Sequence, residues 1–188
     1  GSVIGELPGI LSYRAPGANE AFSILAIPFI YGSAFLLMTI LGCALIRAGK
    51  RRWPQMGIFR MIAMCIAFTL GMDVVIEAYM FLPLGLYSIP GGHLLINAGK
   101  YYQYSLWEGI FVSFTFTACI LLRYYTNDVG ETVAERGLSK LAASNGVKSV
   151  LRSLGIIGIV HVFFLVFYHL PVAVAIGSNS AAWPQDIQ

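Results

Sequence analysis

Four stretches of this chain, about Phe22–Ile46, Ile58–Leu82, Tyr102–Leu122 and Ser149–Leu170, are each long and apolar enough to cross a bilayer. About 20 helical residues, rising about 1.5 Å each, span the ~30 Å hydrocarbon layer. Lipid offers no partner to an open backbone N–H or C=O, so a segment that crosses it has to pair its own. The expected fold is therefore all-α: a polytopic membrane helix bundle with four transmembrane helices in residues 1–188, read as one integral membrane domain.

Composition agrees with this. Residues are 57% hydrophobic and only 11% charged, and the mean hydropathy is +0.74, which excludes an ordinary soluble domain. All but Arg14 and Lys100 of the 12 Lys and Arg lie beside or inside the loops 47–57 and 123–148. The positive-inside rule places those two loops in the cytoplasm and both chain ends outside. The net charge of +3 is this bias rather than a nucleic-acid surface, since no basic patch interleaved with aromatics accompanies it. Cys43, Cys65 and Cys119 fall within spans and lack any CxxC or Cys/His spacing, so they read as small packing residues rather than disulfides or zinc ligands. No cleavable signal peptide and no internal repeat is visible.

Residues 1–20 are expected to form an outer loop, and Pro28 and Gly32 to kink the first span. Residues 83–101 are a turn-rich outer connection, either a lid over the bundle mouth or a plain connector. On the inner side Thr132–Lys140 is a short helical candidate interrupted by Gly137, expected to be solvated surface. Residues 177–188 form a polar tail.

Ionisable groups inside hydrocarbon cost about 2.5–3.5 kcal/mol at a helix centre, so their default reading is functional. This chain places Asp73 and Glu77 in the second span, Glu108 in the third and His161 in the fourth. Asp73 and Glu77 are spaced i, i+4 and share a helix face. Two carboxylates so close in apolar surroundings do not both ionise cheaply, and an acid beside a base is what gain or loss of water requires. Counting about 1.5 Å per residue from the outer ends puts Glu77 about 7–8 Å deep, Asp73 and His161 about 13 Å and Glu108 about 9 Å, one slab in the outer half of the membrane. Catalytic roles are expected for Asp73, Glu77 and Glu108, with acid and base not assigned individually. Tyr79, Tyr102, Gln103, Tyr104, Trp107 and His161 are the candidate substrate-binding residues. The aromatics near Glu108 have a second reading, an interfacial belt. His93 and His169 are expected at the surface. The Glu-x-x-His pairs of a di-metal carboxylate site are absent, as are a nucleophile elbow, a GxGxxG and a P-loop, so the chemistry expected is free of metal and cofactor.

Several segments in order along the chain, RRWPQMG (Arg51–Gly57), MDVVIE (Met72–Glu77), YYQYSLWEG (Tyr101–Gly109), LRYYTNDVGETVAERG (Leu122–Gly137) and WPQDIQ (Trp183–Gln188), resemble the AveC-type, avermectin spirocyclase-like family of bacterial membrane proteins. The resemblance implies a multi-pass protein of the bacterial plasma membrane, acting in polyketide secondary metabolism. Its reaction would be the dehydrative closure of a lipophilic dihydroxy-ketone to a spiroketal by acid–base catalysis. It also implies longer relatives with further upstream spans, so that this chain would be truncated at both ends and belong to a larger bundle or a homo-oligomer. The partners expected are a lipophilic small molecule and the bilayer, with no nucleic acid. Two other readings stand beside it: a terpene cyclase or isomerase that protonates a lipid, and a non-catalytic lipid binder or proton-coupled transporter that uses buried acids as a relay.

Overall fold

The structure, a computed structural model, describes residues 20–84 and 94–177, with side chains described for 32–84 and 94–174. Helix α1 runs over Glu20–Arg52, continuing through positions 28 and 32, and ends just before Pro54, a residue that cannot extend a helix. Helix α2 covers Ile58–Asp73 and passes without a break into a π-helical segment, Val74–Phe81. A two-residue hairpin follows, β1 (Leu95–Ile96) pairing antiparallel with β2 (Tyr104–Ser105). Helix α3 is Leu106–Tyr124. Helix α4 is Asn145–Phe164, continued by a π-helical segment, Leu165–His169, and by α5, Leu170–Gly177. Four of the helical stretches are long and apolar enough to cross a membrane, Gly32–Arg52, Ile58–Phe81, Leu106–Tyr124 and Asn145–Val174.

The boundaries differ from the expected ones at the third span. Tyr102, Gln103 and Tyr104 precede the helix rather than open it, because residues 104–105 are used as a strand against Leu95–Ile96. Glu108 is therefore in the first turn of α3, about 3 Å rather than 9 Å along its axis. The expectations on residues 1–19, on His93 and on the polar tail from 178 onward fall outside the described residues. So does the side chain of Pro28.

Small residues let the first three helices approach closely, as helices do where apolar burial provides little drive. A Cβ at Gly42 of α1 would collide with the Ile120 side chain of α3. Around that contact Cys43, Ile46, Met61, Cys65 and Ile120 form a buried cluster, and all three cysteines are free. Between α2 and α3, Thr69 donates to the Cys65 carbonyl (2.9 Å) and Ser113 to that of Gly109 (2.5 Å). Their hydroxyls are satisfied within their own helices, so both are buried at no cost in lost hydrogen bonds.

The inner loop is mostly exposed, as expected of it, but Glu131, Thr132 and Glu135 are buried within it. Two 3-10 turns, Val133–Glu135 and Leu138–Lys140, flank Gly137, whose φ of 93° lies in the left-handed region that glycine adopts freely. Glu131 organises the turn. Its Oε1 accepts the Ser139 N–H at 2.6 Å, and its Oε2 accepts from the Gly137 N–H (3.2 Å) and the Asn127 amide (3.1 Å). These donors, the Ser139 N–H first, hold its carboxyl at about 2, below the ordinary glutamate value. Glu135 closes a capping box on Thr132 and pairs with Arg152 of α4 at 2.7 Å. A Cβ at Gly155 would stand 2.5 Å from the Ala134 carbonyl, so α4 seats on the loop only where it has no side chain. Ser144 caps α4 by accepting from the Val147 N–H.

Both π segments end two residues before a proline, Pro83 and Pro171. A proline ring crowds the carbonyl four residues earlier and brings no N–H, and a widened turn accommodates both effects. The i+5 bond from the Leu82 N–H to the Glu77 carbonyl (3.0 Å) is part of that turn. Prolines thus set the side-chain register on the stretches that carry Glu77 and Tyr168.

Candidate active site

A cavity of roughly 100 Å³ lies between α1, α2, α3 and α4. Asp73 and Glu77 enter from α2 and its π continuation, Glu108 from α3, and Tyr168 from the π segment after α4. Its remaining walls are apolar, with Phe35, Phe116 and Phe164 forming an aromatic side: Phe35 stacks on Phe116 with ring centroids 4.3 Å apart and meets Phe164 at 5.1 Å. The three acids expected from the sequence are brought together.

Each of two acids is held by a tyrosine. The Tyr104 hydroxyl donates to Asp73 Oδ2 at 2.5 Å, both residues being buried. Gly109 makes room for that pair, since a Cβ there would collide with the Tyr104 hydroxyl. The Tyr168 hydroxyl donates to Glu108 Oε1, also at 2.5 Å, while Glu108 Oε2 is shielded from solvent and has no hydrogen-bond partner among the described residues. Residues 104 and 108, four positions apart across the start of α3, therefore supply the donor to one acid and the whole of another. Among the described residues no three His, Cys, Asp or Glu are arranged to hold a metal ion, although three carboxyls line this cavity.

The candidate substrate-binding residues divide. Tyr104 reaches the site through Asp73. Gln103 is buried, but its Oε1 accepts the Gly99 N–H at 3.0 Å, which places it in the hairpin rather than on the cavity wall. Tyr102 is half-buried and packs with Phe81, Leu82 and Tyr104. Tyr79 is 67% exposed, Trp107 faces outward beside Phe111, and neither lines the cavity. His161 is a correction: it is exposed, its Nδ1 engages the Ile157 carbonyl at 2.8 Å, and it does not reach the acids. Similar depth did not imply a shared face.

The sequence reading missed Tyr168. In an unbroken α-helix, residues seven apart lie within about 20° of one another, so Tyr168 would share the face of His161. The π segment Leu165–His169 turns it away from that face and beside Phe164 on the cavity. Pro171 was the available signal.

A largely apolar cavity with three carboxyls and a phenol on its wall, set among four helices long and apolar enough to cross a membrane, is the site this fold presents. The family model described as Spirocyclase AveC-like matches residues 6–188, and the chain belongs to that family. No curated protein and no solved structure matches it. Family membership carries a spirocyclase-type function as the coarse assignment.

Proposed function

We propose that this chain is a membrane-embedded spirocyclase that closes a lipophilic dihydroxy-ketone, of the polyketide type, to a spiroketal with loss of water. The observation that carries the reading is the meeting of Asp73, Glu77 and Glu108 on one apolar cavity. The reaction needs a proton donor and a proton acceptor in the same small volume. One carboxylic acid protonates the hydroxyl of a cyclic hemiketal, the C–O bond breaks, and water leaves an oxocarbenium ion. The second hydroxyl attacks that carbon while a carboxylate takes its proton. No atom changes oxidation state overall, so side-chain acids and bases suffice and neither redox cofactor nor metal is called for.

The aromatic side of the cavity supports the same reading, because ring faces stabilise a neighbouring cation. The apolar walls favour a reacting lipophile over a proton relay through the bilayer. Orientation follows from the basic loops, with 47–57 and 123–148 on the cytoplasmic face of a bacterial plasma membrane.

The test uses the full chain in lipid nanodiscs and a symmetrical nine-carbon ketone bearing a hydroxyl at each end, with spiroketal formation followed by chiral gas chromatography. Uncatalysed closure gives a racemate, so an enantiomeric excess reports the protein. Asp73→Asn or Glu77→Gln is expected to lower the rate by about 100-fold or more with the fold retained. Full rate and full excess in both variants, and in the double variant, would sink the assignment.

A further inference from the structure

Glu108 presents two unlike oxygens. Oε1 is committed as an acceptor to the Tyr168 hydroxyl. Oε2 is shielded from solvent and has no partner among the described residues, in a side chain that lines the cavity. A buried carboxyl oxygen left without a hydrogen bond is costly in either protonation state, and a ligand hydroxyl removes that cost by donating to it or accepting from it. The Tyr168 bond also decides where a proton sits: with Oε1 engaged as acceptor, a proton gained by Glu108 rests on Oε2.

We propose that Glu108 Oε2 is the atom at which the cavity docks a hydroxyl of its ligand and exchanges a proton with it, and that Tyr168 is the positioning residue that, by engaging Oε1, leaves this oxygen free for it. The inference rests on the spirocyclase reading for the identity of that hydroxyl. In the closing step the hydroxyl oxygen gives an electron pair to the oxocarbenium carbon and forms the new C–O bond. Its O–H bond breaks, and the proton passes to Oε2. The acid that protonated the hemiketal hydroxyl, which left as water, is then one proton short and Glu108 one proton richer, a difference that one exchange within the cavity resets. Tyr168 touches no reacting atom. It acts by fixing the carboxyl plane, and its own position is fixed by the π segment Leu165–His169.

The experiment records the infrared carboxyl band assigned to Glu108 by its loss in Glu108→Gln, on the full chain in nanodiscs, before and after adding the nine-carbon dihydroxy-ketone. The same preparations are assayed for closure. A shift of the band on adding the ketone, absent in Glu108→Gln, is expected. Tyr168→Phe is expected to move the band without ligand, to lower kcat about tenfold with little change in KM, and to erase most of the enantiomeric excess. Should that variant not fold, fluorotyrosine at position 168 keeps the shape, strengthens the donor, and is expected to move the band in the opposite direction. A ligand-induced shift without any closure upholds the docking atom and overturns the spirocyclase reading. Closure with an unmoved Glu108 band overturns the docking atom. Full rate and full excess in Tyr168→Phe overturn the positioning role.

Discussion

Tyr104, on the strand that leads into α3, donates its hydroxyl hydrogen to Asp73 Oδ2 on α2 at 2.5 Å. The bond couples a short, largely buried hairpin to an acid on a helix long and apolar enough to cross the bilayer. Tyr104 is fully buried in a cluster with Ala78, Phe81 and Leu82, so packing as well as the bond holds its direction.

Removing that hydroxyl in Tyr104→Phe leaves Asp73 without its donor. A hydrogen bond to an ionisable buried group is worth about 1–3 kcal/mol, and the closure rate is expected to fall at least about tenfold. Gly109→Ala is expected to be worse, because its Cβ occupies the place of the Tyr104 hydroxyl. Denaturant unfolding in mild detergent and the closure assay measure both effects, and equal behaviour of Gly109→Ala and wild type would contradict the geometry.

Pro171→Ala tests the register of the fourth span. With an N–H restored and the ring gone, the widened turn is expected to relax toward α-helix, carrying Tyr168 back toward the face of His161. The signature is an unchanged or raised melting temperature with a lowered rate. A fall in stability with full activity would refute the proline origin of the turn.

The inner loop predicts a pH effect of definite sign. The folded value of Glu131, about 2, lies below the ordinary 4.5. A lowered carboxylate contributes stability that is complete above about pH 4.5 and is lost as pH falls through about 2. The wild-type melting temperature is expected to drop across that window, and Glu131→Gln to start lower at neutral pH and drop less. Parallel curves would remove Glu131 from the account.

Two changes at the base of α4 should differ in size. Arg152 is 54% exposed, so Arg152→Ala, which breaks its pair with Glu135, is expected to cost no more than about 1 kcal/mol. Gly155→Ala drives a methyl into the Ala134 carbonyl, and overpacking against backbone costs about 1–3 kcal/mol. The ordering of the two melting temperatures checks this. A tilt of α4 would also loosen Tyr168, so Gly155→Ala is expected to lower the closure rate while Arg152→Ala leaves it near wild type.

The spans were legible because apolar runs of this length have one stable solution in lipid, and the second helical stretch, α2 with its π continuation to Phe81, ends within a residue of the expected Leu82. The gathering of Asp73, Glu77 and Glu108 was legible from the cost of placing acids there. What hydropathy does not encode is rotation about a helix axis. His161 and Tyr168 differ by seven positions, and only the widened turn before Pro171 decides that the second, not the first, faces the acids. The start of α3 was misplaced for a related reason: Tyr102–Tyr104 is as aromatic as an interfacial helix end, and the pairing of Tyr104 with Ile96 depends on a partner outside the apolar run. The buried carboxylates of the inner loop were hidden because sequence shows a charge but not the backbone N–H groups that surround it.

At roughly 100 Å³ the cavity is below the ~300–1,000 Å³ of pockets that enclose a drug-sized molecule. On the proposed chemistry it surrounds the ketal carbon and little else, and the rest of a large ligand projects between the helices. Discrimination then falls on the handedness and ring size formed at one carbon. Substituents several bonds away go unread, which would let one such protein serve a whole series of congeners differing in their periphery.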